Sequence, residues 1–130
     1  MPVDRVVTNA SPLIVLCKSG HDHLIEQLWE EVIVPDAVWR EVVAAGKADA
    51  AARILPKAAW ATRTVVPEAS PLVLAWDLGA GESEVLSFAC QHPGYRAMVD
   101  DAQARRCAQS LGIPTFGTGV PCLCLQNAEG

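Results

Sequence analysis

Six side chains in this sequence carry oxygen donors at places where alternating strands and helices could bring them together: Asn9, Glu41, Glu82, Glu84 and the pair Asp100-Asp101. Carboxylates gathered without a local cation push one another towards protonation. A divalent ion relieves that cost. Mg²⁺ and Mn²⁺ take oxygen ligands and keep several waters, which suits hydrolysis of a phosphodiester, because the metal polarises the phosphoryl oxygen and supplies an activated water. Metal-assisted hydrolysis is therefore the chemistry to expect of such a cluster.

The elements that must position these groups are legible as pattern. "RVVT" is a short β-branched strand, and "NASPLIVLCKSG" a helix with Ser11 able to cap it, Pro12 in its first turn and Gly20 stopping it. "HDHLIEQLWE" places Leu24, Ile25, Leu28 and Trp29 on one helix face, and "EVIVP" follows as a second strand. "PDAVWREVVAAG" predicts a helix from Pro35 to Gly46, and "ADAAARIL" another ended by Pro56. "WATRTVVP" reads as a third strand, and a Gly-rich turn then leads into a helix from about Glu82. "RAMV" is a fourth strand, "DDAQARRCAQSLG" a helix and "IPTFG" a fifth strand. Strands alternating with helices predict a parallel sheet covered on both faces, the three-layer α/β class.

Open parallel sheets bind ligands at the carboxyl ends of their strands, beside the point where strand order reverses. Asn9 follows the first strand and Asp100-Asp101 the fourth, so their tips share a crevice if those strands are neighbours. Glu41 lies one and a half turns into the helix after the second strand, and Glu82 and Glu84 open the helix before the fourth. Being two residues apart, Glu82 and Glu84 project to different faces, so one at most faces the site.

Each residue also has an ordinary structural role open to it. Asp100 or Asp101 can N-cap the following helix, Glu82 and Glu84 can complement the dipole of their own first turn, and Asn9 can bond its own backbone in a turn. Glu41 can pair on the surface with Arg40 or Lys47. His21, His23 and His92 have no metal-ligand spacing and read as surface residues.

Composition bounds the partners. A chain of 130 residues, 51% hydrophobic, fits one domain spanning 1–130, and its apolar runs fall well short of the roughly 20 residues that span a bilayer. No basic, apolar and small-residue leader pattern opens the sequence, so the expected location is the cytoplasm. Five cysteines without a CxxC pair argue against a disulfide framework or zinc site. The net charge of −5 gives no general pull towards a polyanion, so any grip on nucleic acid must be local, metal-mediated or shared with a partner. No Gly-rich phosphate loop follows the first strand, which argues against a general nucleotide-binding doubly wound protein.

Four ordered blocks, "VVTNASPLIVLCKSG", "VIVPDAVWREVV", "LGAGESEVLSFA" and "MVDDAQARRCAQSLGIPTFGT", resemble the PIN-domain proteins, specifically the small bacterial group related to VapC toxins. The likeness runs from about Val6 to Thr118. It implies a three-layer fold with a five-stranded parallel sheet and an Mg²⁺- or Mn²⁺-dependent endoribonuclease. The family's four acids would fall on Asn9, Glu41, Glu84 and Asp101, with Asp100 beside the last as a cap or outer ligand. The resemblance therefore makes Glu41, Glu84 and Asp101 the catalytic metal ligands and Asn9 an auxiliary one, while Ser11, at the helix start on the same crevice, can contact a phosphate or a metal-bound water or simply cap its helix. It also implies an RNA substrate, a homodimer and a cognate antitoxin.

Two departures stand out. Asn9 offers one neutral oxygen where the family's Asp offers two charged ones, which weakens a metal there and opens the alternative of an inactive PIN-fold module acting by binding. After "GTG" the family continues as a Leu-rich helix and Ala-Lys-Arg, whereas this chain reads "VPCLCLQNAEG". One consistent codon choice for Pro121 to Gly130 is CCT TGC TTG TGC TTG CAA AAC GCC GAG GGG. Read from the third base, the same string gives Leu-Leu-Val-Leu-Ala-Lys-Arg-Arg-Gly, the missing pattern, so the tail is expected to arise from a frameshift.

Overall fold

Burial of consecutive strand residues fixes the layers. The computed structural model describes residues 4–20, 23, 25–44 and 50–116. In β1 (Asp4–Thr8) both Val6 and Val7 are wholly buried, and neighbouring strand residues point to opposite faces, so both faces of this strand are covered. The same holds for Val32, Ile33 and Val34 in β2 (Trp29–Pro35) and for Ala97 and Met98 in β4 (Tyr95–Met98). Continuous apolar burial of this kind belongs to parallel sheets under helices.

Every strand pairing is parallel, and the order is β3-β2-β1-β4-β5, with β3 at Ala61–Thr64 and β5 at Thr115–Phe116. Four strands have four or more residues, and β5 is a two-residue pairing at the edge beyond β4. The order reverses between β1 and β4, whose register runs Arg5 to Tyr95 through Thr8 to Met98. The first and fourth strands are thus neighbours, as the crevice required.

The helices are α1 (Ala10–Lys18), α2 (Ile25–Leu28), α3 (Asp36–Ala44), α4 (Ala50–Ile54), α5 (Pro71–Leu74), α6 (Ala80–Gln91) and α7 (Ala102–Ser110). Helix α6 contacts β1, β2 and β4 and also packs on α3 and α7, so it ties the two halves of the sheet together. Its Val85, Leu86, Ser87 and Phe88 are all buried, whereas an amphipathic reading expects one stripe.

The sequence pattern misplaced several boundaries. Trp29, read as part of a helix face, opens β2, and α2 has a single turn. Parallel pairing with Asp4 takes Trp29 into the sheet, a long-range contact that periodicity does not encode. Pro35 ends β2, and α3 starts at Asp36. Pro56 does not stop the chain's turning, because a 3-10 turn, Leu55–Lys57, carries it. Helix α6 begins at Ala80, two residues before Glu82. Leu24, the Gly46 stop, His21 and the tail from Gly117, with its frameshift reading, lie outside the described residues.

Candidate active site

The strand β1 delivers Asn9 to the switch point. The Asn9 backbone N–H donates to Met98 O at 3.0 Å, extending the β1–β4 ladder by one bond beyond the strand. Asn9 is 6% exposed and occupies the N-cap position of α1, where its side chain makes no capping bond. Ser11, expected as the cap, lies instead inside the first turn and is exposed, because the helix starts one residue after Asn9.

Gly81 brings α6 close enough to meet that amide. A Cβ added at Gly81 would lie 2.9 Å from Asn9 Oδ1, 3.4 Å from Val38 Cγ2 and 4.0 Å from Glu41 Oε1. The Asn9 and Glu41 oxygens therefore converge on one point beside α6, from elements 32 residues apart in sequence. Glycine leaves space there: a side chain at this position would press on Asn9 Oδ1 and force it to shift. Residue-type scanning for acids and amides overlooks Gly81, yet "LGAGESE" held the signal, since a glycine inside a helix marks a close approach.

Glu84 and Asp101 each hold a helix start. The Ala37 backbone N–H donates to Glu84 Oε1 at 3.0 Å, so the carboxylate of α6 satisfies an open donor in the first turn of α3. The Ala104 N–H donates to Asp101 Oδ2 at 2.9 Å, which makes Asp101, and not Asp100, the cap of α7. Each carboxylate has a second oxygen beyond that bond. Glu82 does point elsewhere: its Oε2 lies 2.7 Å from where a Cβ of Gly79 would sit, folded over the N-terminus of its own helix. Asp100 is exposed next to Asp101 at the tip of β4.

The structure thus brings Asn9 and Glu41 together, ties Glu84 to α3, and sets Asp100-Asp101 on the strand adjacent to Asn9. Among the described residues no three His, Cys, Asp or Glu side chains gather closely enough to form a metal-binding group. The donors at hand are all oxygens, the type that hard divalent cations take, and the Asn9 and Glu41 oxygens both border the space beside Gly81.

A charged rim flanks this end of the sheet. Arg63 donates through Nε to Asp36 Oδ1 at 2.7 Å, with Nη2 on the same oxygen at 2.7 Å, while Arg40 Nε reaches Asp36 Oδ2 at 3.0 Å. The Arg63 guanidinium also sits 5.4 Å from the centre of the Trp39 ring. Arg40 is thereby engaged with Asp36 four residues before it, and the expected Arg40–Glu41 pairing is absent among the described residues. Two cations share one carboxylate, which leaves a surplus positive charge one residue from Glu41. The Asp36–Arg40 spacing was legible in the sequence, but Arg63 arrives from β3 by sheet pairing alone.

An open α/β sheet with an oxygen-lined switch point defines the class. A family profile for the PIN domain matches residues 5–123, and the chain belongs to that family. No curated protein matches the chain. PIN domains form a family of nucleases that generally use divalent metals and bind RNA. No helix among the described residues is long and apolar enough to cross a membrane.

Proposed function

We propose that this protein is a VapC-type, Mg²⁺- or Mn²⁺-dependent endoribonuclease whose site lies at the tips of β1 and β4. The observation that carries the reading is the convergence of Asn9 Oδ1 and Glu41 Oε1 over Gly81, next to the point where strand order reverses. Glu41, Glu84 and Asp101 would hold the metal with Asn9 as auxiliary ligand and Asp100 in an outer position. When bound, the ion supplies charge to a phosphoryl oxygen and lowers the pKa of a water. The chain's own part is orientation. The burial of Asn9 and the bonds from the Ala37 and Ala104 N–H groups, each to one oxygen of Glu84 and Asp101, restrain these side chains and so support a positioning role for them. Exposed Ser11 at the same end of the sheet suits a contact with a substrate phosphate, and Arg40 and Arg63 can meet the backbone of an RNA strand.

The resemblance to VapC toxins supports a cytoplasmic protein held by a cognate antitoxin and working as a homodimer. Exposed Val65, Leu72 and Leu74, on the connection between β3 and α6, offer apolar surface for such a partner.

A second reading, an inactive or weakened PIN-fold module that acts by binding, draws on a specific observation: Asn9 is neutral, and one oxygen each of Glu84 and Asp101 already serves a helix start. Calorimetric titration with Mn²⁺ separates the two, using the chain as it is beside Asn9→Asp and Glu84→Gln, with RNA cleavage measured in Mn²⁺ and in EDTA. The nuclease reading expects binding by the parent chain, tightened about tenfold by Asn9→Asp, equal to roughly 1.4 kcal/mol, and lost with Glu84→Gln, whose remaining carbonyl oxygen can still accept from Ala37. Mn²⁺ binding that appears only after Asn9→Asp supports the module instead.

A further inference from the structure

A second concave surface lies at the other end of the sheet. A groove of about 580 Å³ is lined by His23, Arg53, Ile54, Lys57 and Trp60 together with two alanines. Trp60 immediately precedes β3, and His23 lies just before α2 and the start of β2, so the groove opens at the amino ends of these strands. Asn9 and Asp100-Asp101 stand beyond the carboxyl ends. The sheet thus separates the groove from the candidate active site.

Its chemistry differs from that of the rest of the molecule. Arg53 lies in the last turn of α4 and Lys57 ends the following 3-10 turn, both exposed, and neither is in an ion pair among the described residues. Among the described residues that line the groove there is no carboxylate. In a chain of net charge −5, a pocket whose described lining carries two cations and no ion pair to either is a local attraction for anions. Beside them Trp60 is half-buried and packed against the core, which holds its ring in place, and exposed His23 supplies a second ring. Exposed cations next to an aromatic face packed on the core match a ligand that joins a phosphate to a flat heterocycle.

We infer that this groove binds a nucleotide, with its phosphate on Arg53 and Lys57 and its base against Trp60, independently of any metal. The nucleotide can be free or part of an RNA strand, and the groove recognises the same phosphate–base unit in both.

The test is calorimetry on the full chain in EDTA, with AMP, CMP, adenosine, inorganic phosphate and a short single-stranded RNA as probes. Saturable binding of AMP or CMP is expected, with adenosine and phosphate each at least about tenfold weaker because each offers half of the recognised unit. Arg53→Gln combined with Lys57→Gln should weaken binding by about tenfold or more and flatten its salt dependence, with an unchanged melting temperature since both side chains are exposed. Trp60→Leu should cost about tenfold, and Trp60→Phe, which keeps a ring and secures the test if the leucine variant fails to fold, should cost less. Binding of AMP or CMP that the RNA does not match assigns the groove to free nucleotides, and binding of RNA tighter than of any mononucleotide, lost with the Arg53–Lys57 double substitution, assigns it to a strand. Absence of saturable binding to every mononucleotide and to RNA, or binding indifferent to the Arg53–Lys57 double substitution, overturns the inference. Glu84→Gln should leave binding in EDTA untouched, so failure of the nuclease reading and failure of this one are separable.

Discussion

Gly81→Ala tests the geometry of the candidate site more sharply than removal of any acid. The new methyl group would sit 2.9 Å from Asn9 Oδ1, closer than real Cβ contacts come, and 3.4 Å from Val38 Cγ2. Overpacking of a tight site costs about 1–3 kcal/mol, whereas replacing a helical glycine by alanine contributes up to about 1 kcal/mol. The net expectation is a loss of about 1–2 kcal/mol, read as a fall of roughly 3–8 °C in Tm. Asn9→Ala removes the offending oxygen while keeping the Asn9 N–H bond to Met98. In that background Gly81→Ala should be neutral or stabilising. The double-mutant cycle, by urea unfolding, should therefore give a coupling of about 1–3 kcal/mol, well beyond the roughly 0.5 kcal/mol scatter of independent sites. If Asn9 instead turns away to admit the methyl group, Oδ1 leaves Glu41 and Mn²⁺ affinity falls with stability spared. Additive effects, with Mn²⁺ binding unchanged in the single variant, would refute the convergence of Asn9 and Glu41 on Gly81.

Three further outcomes follow from other contacts. Asp101→Asn preserves a cap oxygen for Ala104 and should hold stability within a few tenths of a kcal/mol, while Asp101→Ala should cost about 1 kcal/mol; both should weaken Mn²⁺, so a metal effect in the Asn variant isolates ligation from capping. Burial, followed by a hydrogen bond to Glu31, raises the Tyr95 hydroxyl above its usual value near 10, so the neutral form is favoured in the folded protein. Its contribution is full below about pH 10 and lost as pH rises through the elevated folded value, and Tyr95→Phe should flatten that alkaline decline in chemical-denaturation curves. Sequencing the gene should show codons for the tail after Gly119 that are compatible with the Leu-Leu-Val-Leu-Ala-Lys-Arg frame; incompatible codons would remove the frameshift.

Much of the architecture was open to reading because parallel strands under two helical layers must be apolar on both faces. Val6-Val7 and Val32 to Val34 announce this without any contact information. Trp29 and Pro35 were misplaced because their states are set by partners: Trp29 pairs with Asp4, and Pro35 with Thr64, both far away in sequence. Asn9 and Asp101 were reachable as strand tips, but the sequence left open which of the two aspartates caps α7, since both precede the helix and either suits the role. The Ala104 N–H decides for Asp101.

By itself, then, the sequence determined the element types, the parallel sheet and the set of oxygen-bearing residues, because periodicity and strand-end position are local properties. Tertiary structure alone decided that β1 and β4 adjoin, that Gly81 lets Asn9 and Glu41 meet, that Glu84 is spent partly on α3, and that Arg53, Lys57 and Trp60 face a groove at the opposite end. These are distances between segments tens of residues apart. They depend on how helices dock on the sheet, and docking is fixed by packing of the whole core.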